Sequence, residues 1–389
     1  AKAKAFDDYH ATREYLKNRF ELDLWTAAFF WNIPKADGES MLAPTQQELI
    51  QLRNGGELDS RLVERVKELS ERLKFFHWEL AFPKVFSGEN PGFDCVLGNP
   101  PWERIKLQEE EFFAVRDPQI ARALTKAMRQ KLIDSLRESN PLLWNEFKFA
   151  KHGLESQSKF IRQSNRFPFT GVGDVNTFAM FAELAVKGIS ESGAAGIVVP
   201  TGVATDDQLK EFFKFLIFQR KLISLTGFEN EDFIFPGIAN VVRFCALVMG
   251  GKALKAEKPV FSYYLRFFHQ MGQTDRFVPL SLDELKLFNP NTITSPLFRT
   301  KFDYALTKAI YDRFPVMRNE ETKENPWKIS YNRMFDMATD SHLFKQSQEK
   351  ETVPLYEAKL FWHFDHRFAS YELKGKIKVK AEEDCLRCL

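Results

Sequence analysis

Four consecutive residues, Asn99-Pro100-Pro101-Trp102, combine groups that could hold a flat ring bearing an amine. Asparagine offers a side-chain carbonyl oxygen, and each proline ring fixes the backbone, so that nearby backbone carbonyls point in set directions. Two such oxygens would accept the two N–H groups of an exocyclic amine and turn the nitrogen lone pair towards an electrophile. The Trp102 indole would stack on the ring. The alternative is an ordinary turn, because Asn-Pro frequently begins turns.

The residues before this loop predict its place in the fold. Phe93 to Leu97 is a short, mostly apolar run that ends at Gly98, a pattern typical of a buried strand. The two prolines cannot donate backbone hydrogen bonds, so the strand must end before them. We therefore expect the loop at the carboxyl end of a strand, where ligands bind in open α/β sheets.

Composition describes an ordinary soluble globular protein. Of 389 residues, 44% are hydrophobic and 28% are charged, and the net charge of +2 neither demands nor excludes a nucleic-acid partner. Cys95 and Cys245 lie in apparent strands, which favours a reducing compartment without disulfides. No signal peptide and no apolar run of membrane-spanning length is present, so we expect a cytoplasmic protein without a membrane partner. The chain begins with Ala1 inside an apparent helix, which indicates a fragment.

Hydrophobic periodicity along the chain predicts an α/β fold. The predicted elements are helices over 5–31, 46–73 and 103–140, a helix that Asp174 caps, a strand over 193–200, a helix to about residue 219, and strands over 222–228 and 241–249. The last two strands are close enough to form an antiparallel hairpin. Beyond Gly250-Gly251 the alternation stops, and we place a domain boundary there.

Two segments interleave cations with aromatic residues, residues 148–170 and the tail of the chain, as a nucleic-acid groove would. A solvated surface is the alternative for both. The candidate DNA contacts in the tail are Lys359, Trp362, His363 and Arg367. We predict no metal site, because Cys385 and Cys388 have no second ligand pair at metal-ligand spacing.

Asp94 to Trp102 resembles the catalytic motif of adenine-N6 DNA methyltransferases of restriction-modification and phage-defence systems, particularly the large fused enzymes that combine modification and restriction. The order of the neighbouring pieces is more specific than any one of them. The pieces that also resemble this family are Phe76-His77-Trp78, Phe82 to Phe86, Gly173 to Phe181, Gly196 to Gly202, Phe235 to Ile238, and Leu355 to Tyr371.

The resemblance implies a partial Rossmann-like methyltransferase sheet. Residues 1–75 would form a helical segment, residues 76–251 the C-terminal part of the catalytic domain, and residues 252–389 the start of an α+β target-recognition region. The family's glycine-rich cofactor turn is not found upstream of the motif. We therefore expect the first strands to precede Ala1, and the isolated chain to bind cofactor poorly or to be inactive.

The resemblance also implies an activity, namely adenine-N6 methylation of double-stranded DNA with S-adenosylmethionine. The adenine would flip out of the duplex, Asn99 and Pro100 would orient N6, Trp102 would stack, and Pro101 would stiffen the loop. Asp94 is implied as a cofactor-binding residue, and restriction or defence subunits as partners. Two alternatives stay open: a DNA-binding specificity module without catalysis, and an N-methyltransferase acting on protein glutamine or RNA.

Overall fold

The computed structural model describes residues 9–32, 42–330, 332–333, 335–336, 339–345, 360–362, 368–371 and 377–379. The chain divides into two compact units, Ala1–Trp327 and Lys328–Leu389. The first unit contains a six-stranded sheet with its helices. In the second unit, the described residues include a two-stranded antiparallel pair, β7 (Ala369–Tyr371) and β8 (Ile377–Val379).

Helices and strands alternate in the second half of the first unit. Its helices are α1 (Arg13–Phe30), α2 (Gln46–Arg53), α3 (Ser60–Leu73), α4 (Trp78–Ala81), α5 (Pro83–Phe86), α6 (Glu109–Ala114), α7 (Pro118–Ala121), α8 (Lys126–Ser139), α9 (Pro141–Gln163), α10 (Thr177–Gly188), α11 (Gly202–Thr205), α12 (Lys210–Phe218), α13 (Leu282–Phe288) and α14 (Lys301–Tyr311). Its strands are β1 (Phe93–Gly98), β2 (Ile189–Pro200), β3 (Leu222–Glu229), β4 (Arg243–Gly250), β5 (Val260–Leu265) and β6 (Val278–Pro279).

The strand order β1-β2-β4-β3-β5-β6 confirms the α/β class. β1 runs parallel to β2, with Gly98 opposite Ile197 at the end of the pairing. The predicted hairpin is also confirmed, because β3 and β4 pair antiparallel. β4 lies between β3 and β2, and so the hairpin extends the sheet on the far side of β2 from β1.

The main hydrophobic core lies between the sheet and helices α10 and α12. Ala182 of α10, Leu216 of α12 and Leu247 of β4 are fully buried in it. Phe212 and Phe213 are fully buried as well, and each contributes roughly 1.5–3 kcal/mol through removal of its ring from water. This core fixes the position of α10 relative to β2, which matters for the site described below.

The strand before the candidate loop is not buried, contrary to the sequence prediction. Asp94, Cys95 and Leu97 are exposed, and 78% of the Leu97 surface is accessible. The sheet order places β1 at an edge, where β2 is its neighbour on one side only. An apolar run indicates that a strand can be buried, whereas its position in the sheet decides whether neighbours cover it.

Gly92 allows β1 to begin close against the start of β2. Its φ of +122° lies in the region that favours glycine. A Cβ at this position would lie 2.5 Å from the Ser190 backbone nitrogen and 2.6 Å from the Ile189 carbonyl carbon. A larger residue would therefore push β1 away from its only neighbour in the described sheet.

The cap of α10 differs from the predicted one. The side chain of Asn176, not that of Asp174, accepts a hydrogen bond from the Phe178 N–H, at 3.3 Å. Asp174 lies two residues before the cap and forms an ion pair with Arg104, with 3.3 Å between the charged atoms. Both residue types cap helices well, so the sequence could not decide between them without the backbone path.

The sheet continues past residue 251, where the sequence predicts a domain boundary. β5 pairs in parallel with β3, and β6 pairs with β5. The first compact unit extends to Trp327. The division into functional domains at residues 75 and 251 stays a prediction. In the described parts of the chain, no helix is both long and apolar enough to cross a lipid bilayer.

A buried polar cluster of three residues joins the N-terminal helices to the segment that leads into β1. The Asp23 carboxylate on α1 lies 2.8 Å from His77 Nε2, and Ser70 of α3 donates to its other oxygen at 2.7 Å. All three residues are buried. Buried polar groups cost free energy unless they are paired, so this cluster specifies how the two helices and residue 77 meet.

Replacement of Asp23 by alanine is expected to lower the free energy of unfolding by about 2–6 kcal/mol. His77 and Ser70 would each lose a buried partner, at a cost of roughly 1–3 kcal/mol apiece. Denaturant unfolding followed by circular dichroism measures the change. Glu64→Ala, at an exposed position of α3, is the control and should change stability by less than about 0.5 kcal/mol. Equal effects of the two variants would contradict the proposed importance of the cluster.

The exposure of β1 predicts a difference in cysteine reactivity. Cys95 is exposed, whereas Cys245 is buried, and burial raises the pKa of the Cys245 thiol. In the 389-residue chain with Cys385→Ser and Cys388→Ser, a maleimide should label Cys95 readily and Cys245 only on unfolding. Peptide mass spectrometry after timed labelling measures both rates. Protection of Cys95 equal to that of Cys245 would show that β1 is covered.

Candidate functional site

The Asn99-Pro100-Pro101-Trp102 loop begins directly where β1 ends. Sheet pairing stops at Gly98, because neither following proline has an N–H to donate. Asn99 is exposed, and within the described residues its side-chain amide makes no hydrogen bond. The amide therefore stays available to a ligand at the carboxyl end of the strand, where the sequence predicts the site.

Trp102 is half-buried and held from three directions. Its indole N–H donates to the Val198 backbone carbonyl of β2 at 3.3 Å. Its ring lies edge-on to Phe235, with centroids 6.0 Å apart, and tilted against Phe244 at 6.4 Å. Val198 and Phe244 alternate along their strands with residues of the main core, so they face the other side of the sheet. These contacts fix the indole plane while part of the ring stays accessible.

The chain leaves the loop through a helical insertion and returns to the same place. Arg104 and Asn176 form an antiparallel bridge, and the Ile105 N–H donates to the Val175 carbonyl at 3.0 Å. Helices α6 to α9 lie between these points and have a small core of their own around Phe113. The insertion is thus attached to the sheet at the loop itself.

An apolar cavity of about 570 Å³ lies beside Asn99 and Pro100. Its walls include Phe93 of β1 and Phe181 of α10, together with the half-exposed Trp78. Aromatic side chains of this kind bind the faces of flat rings. Charged residues also reach the lining, namely Glu79, Arg166 and Lys187.

A second cavity, of about 690 Å³, has a more polar lining than the first and lies at the carboxyl ends of β2 and β3. Arg104, which follows the loop, contributes to its lining. Glu229 is buried there between two arginines, 3.3 Å from Arg243 and 3.1 Å from Arg266. Burial raises the pKa of Tyr263, whose hydroxyl donates to Ser295 at 2.7 Å. Asn99 of the loop therefore lines the apolar cavity, and Arg104, two residues after the loop, lines the more polar one.

The described lining of the apolar cavity fits S-adenosylmethionine only in part, because it contains charged residues but no glycine-rich turn. The cofactor has a flat adenine, which the apolar cavity suits, and also an ammonium, a carboxylate and a ribose diol that need polar partners. Asp94, predicted to bind the cofactor, is exposed in β1 and is not in the cavity lining. The glycines in the cavity lining are Gly98 and Gly188, and neither belongs to a glycine-rich turn. The role of Asp94 stays a prediction.

Most of the predicted DNA contacts in the tail lie outside the described residues. Lys359, His363 and Arg367 belong to this group. Trp362 is described, is 62% exposed, and lies tilted against Phe368 with ring centroids 5.7 Å apart. The role of these three residues and of Trp362 in DNA binding therefore stays a prediction.

In the basic segment 148–170, Phe160 and Phe167 pack inside the protein, whereas Phe149 is 62% exposed. Phe167 is buried, and the Phe160 ring packs against Trp25 and Phe29 of α1. Lys151 is exposed above the ring of Phe147, 6.0 Å from its centroid. The cations thus lie on the surface, while these aromatic rings connect α9 and the following residues to the core.

Residues 16–140 match the family model described as Eco57I restriction-modification methylase. This segment includes the whole Asn99 to Trp102 loop. The resemblance to restriction-modification methylases predicted from the sequence is therefore confirmed for residues 16–140. No curated protein matches the chain significantly in sequence.

Solved structures with some likeness to the chain include restriction-modification and restriction enzymes. The ATP-dependent Type ISP restriction-modification enzyme LlaBIII bound to DNA is 14% identical, with a TM-score of 0.26, over 58% of this chain and 14% of its own. A putative type I modification subunit from Vibrio vulnificus is 11% identical, with a TM-score of 0.26, over 61% of this chain and 64% of its own. The type IIG restriction endonuclease BpuSI is 12% identical, with a TM-score of 0.23, over 64% and 38%. The chain therefore spans less than two thirds of each of these proteins, and no structural argument rests on TM-scores this low.

Sequence reasoning missed the partners that hold Trp102. Val198 and Phe244 are far from the loop along the chain and carry no motif of their own. The Phe235-Pro236-Gly237 turn was visible, but its contact with Trp102 was not. The alternation of side chains along β4 could have identified Phe244, because it places Phe244 on the sheet face opposite Cys245.

Replacement of Trp102 by phenylalanine is expected to lower the free energy of unfolding by about 1 kcal/mol. The Val198 carbonyl would lose a partly buried donor, while packing against Phe244 would largely persist. Chemical denaturation measures the difference. Trp327→Phe is a matched control, because Trp327 also donates to a backbone carbonyl but is 51% exposed. Loss of the Trp327 indole hydrogen bond should cost less stability, since water can replace it. A larger loss of stability in Trp327→Phe than in Trp102→Phe would contradict the importance of the Trp102 bond.

Proposed function

We propose that this chain carries the catalytic loop of an S-adenosylmethionine-dependent DNA adenine-N6 methyltransferase in a restriction-modification or phage-defence system. The observation that carries the proposal is the Asn99-Pro100-Pro101-Trp102 loop at the carboxyl end of β1, with the Asn99 amide exposed and without a hydrogen-bond partner in the described residues. The match of residues 16–140 to restriction-modification methylases supports it.

The loop acts on the amine through its oxygens. With the target adenine flipped out of the duplex, the Asn99 side-chain oxygen and the Pro100 carbonyl accept the two N–H groups of N6. The nitrogen lone pair would then point away from both acceptors. Trp102 would bind the face of the base, and its own orientation is set by Val198 and Phe244. S-adenosylmethionine, when bound, would supply the methyl group: the N6–carbon bond would form as the methyl–sulfur bond of the donor breaks, so no covalent bond to the enzyme is needed, and N6 would lose one proton to solvent.

Double-stranded DNA is the proposed partner, and restriction or defence subunits are proposed to assemble with the protein. Flipping costs a few kcal/mol, which stacking and hydrogen bonds to the base must offset. The surface cations of α9 and the tail residues Lys359, Trp362, His363 and Arg367 are proposed to contact the DNA. A cytoplasmic location is proposed, because the substrate would be cellular or incoming DNA.

Replacement of Asn99 by alanine is expected to reduce methyl transfer roughly a hundredfold or more, as does loss of one preorganised polar group at other active sites. The assay follows tritiated methyl groups from S-adenosylmethionine into duplex DNA, using the protein expressed in full. Asn145→Ala is the matched control, because Asn145 is an exposed asparagine on α9, away from the loop. Its activity should equal that of the unmodified protein.

The reaction product distinguishes the proposal from its alternatives. Digestion of the labelled DNA should yield N6-methyladenine. Equal transfer by Asn99→Ala and Asn145→Ala would contradict the role of Asn99. DNA binding without transfer would instead favour a specificity module, and label in protein or RNA competitors would favour another N-methyltransferase.

A further inference from the structure

Thr177, the first residue of α10, contacts the backbone on both sides of Trp102. Its hydroxyl lies 2.6 Å from the Pro101 carbonyl oxygen and 2.9 Å from the Glu103 backbone nitrogen. Its own N–H donates to the Glu103 carbonyl at 2.9 Å. A residue 75 positions further along the chain thus binds the residue before Trp102 and the residue after it.

The chemistry of a hydroxyl suits this position. One hydroxyl can donate one hydrogen bond and accept others, and Thr177 donates to Pro101 while it accepts from Glu103. The Glu103 backbone carbonyl oxygen also lies 3.2 Å from the Thr177 hydroxyl, but it already accepts a hydrogen bond from the Thr177 N–H. Serine could make the same two bonds, whereas valine, which has nearly the same shape, could make neither.

The loop needs a donor from elsewhere in the fold. Pro100 and Pro101 have no N–H, so their segment can be held only through its carbonyls or its side chains. α10 is a firm base for that donor, because Phe178 and Ala179 are buried in the main core. The helix does not use the Thr177 hydroxyl for capping, since Asn176 caps it.

We propose that Thr177 is a positioning residue for methyl transfer, which fixes the Pro101 to Glu103 backbone and thereby the placement of Asn99 and Trp102. The inference rests on the proposed function. Trp102 is held at its side chain by β2 and β4, and at its backbone by α10. The two sets of contacts together leave the loop little freedom to rotate the groups that would face the amine.

Thr177→Val and Thr177→Ser test this in the protein expressed in full. Misplacement of a catalytic group by an ångström can cost a hundredfold in rate, so kcat for Thr177→Val should fall roughly ten- to hundredfold. KM for DNA should change by less than about threefold, because Thr177 does not touch the substrate. Thr177→Ser should restore most of kcat. Thr26→Val is the matched control, because it also removes a hydroxyl that donates to a backbone carbonyl, that of Leu22 at 2.8 Å, in a distant helix.

A second measurement is independent of activity. Hydrogen exchange followed by mass spectrometry, on overlapping peptides that cover residues 99–106, reports the few amides around Glu103, because Pro100 and Pro101 contribute none. Exchange there should accelerate in Thr177→Val, but not in Thr177→Ser or Thr26→Val. Unchanged exchange, or equal kcat for valine and serine, would overturn the positioning role. If the unmodified protein transfers no methyl group, the proposed function fails, while the exchange experiment still decides whether Thr177 fixes the loop.

Discussion

The parallel pairing of β1 with β2 is the constraint on which the candidate site depends. It ends at Gly98, and two of the next three residues are prolines, which have no N–H with which to continue the pairing. The chain must therefore leave the sheet at this point, with Asn99 at its edge. Gly92 makes the pairing possible at the other end of β1, because a side chain there would collide with β2.

A loop that leaves the sheet in this way has no regular structure of its own to keep it rigid. The protein supplies that rigidity from three distant elements. β2 accepts the Trp102 N–H, β4 and the 233–242 connection pack against the indole ring, and α10 holds the flanking backbone. Preorganisation of this kind places groups before the substrate arrives, so that less ordering is needed in the reaction.

The position of β1 at the edge of the sheet has a chemical consequence. Asn99 and the apolar cavity beside it lie next to a strand whose outer side the described residues leave open. The cavity offers aromatic walls for a flat ring, together with the charged residues Glu79, Arg166 and Lys187.

The sequence by itself determined the α/β class, the hairpin and the loop after β1, because these follow from local periodicity and from the missing N–H groups of proline. It also indicated the resemblance to restriction-modification methylases, which the family model bears out over residues 16–140, since the order of short motifs is read along the chain. Only the tertiary structure decided that β1 is exposed, that Asn176 caps α10, and that Thr177, Val198 and Phe244 hold Trp102. Burial and long-range contacts depend on which elements become neighbours, and neighbours in space carry no signature in the local sequence.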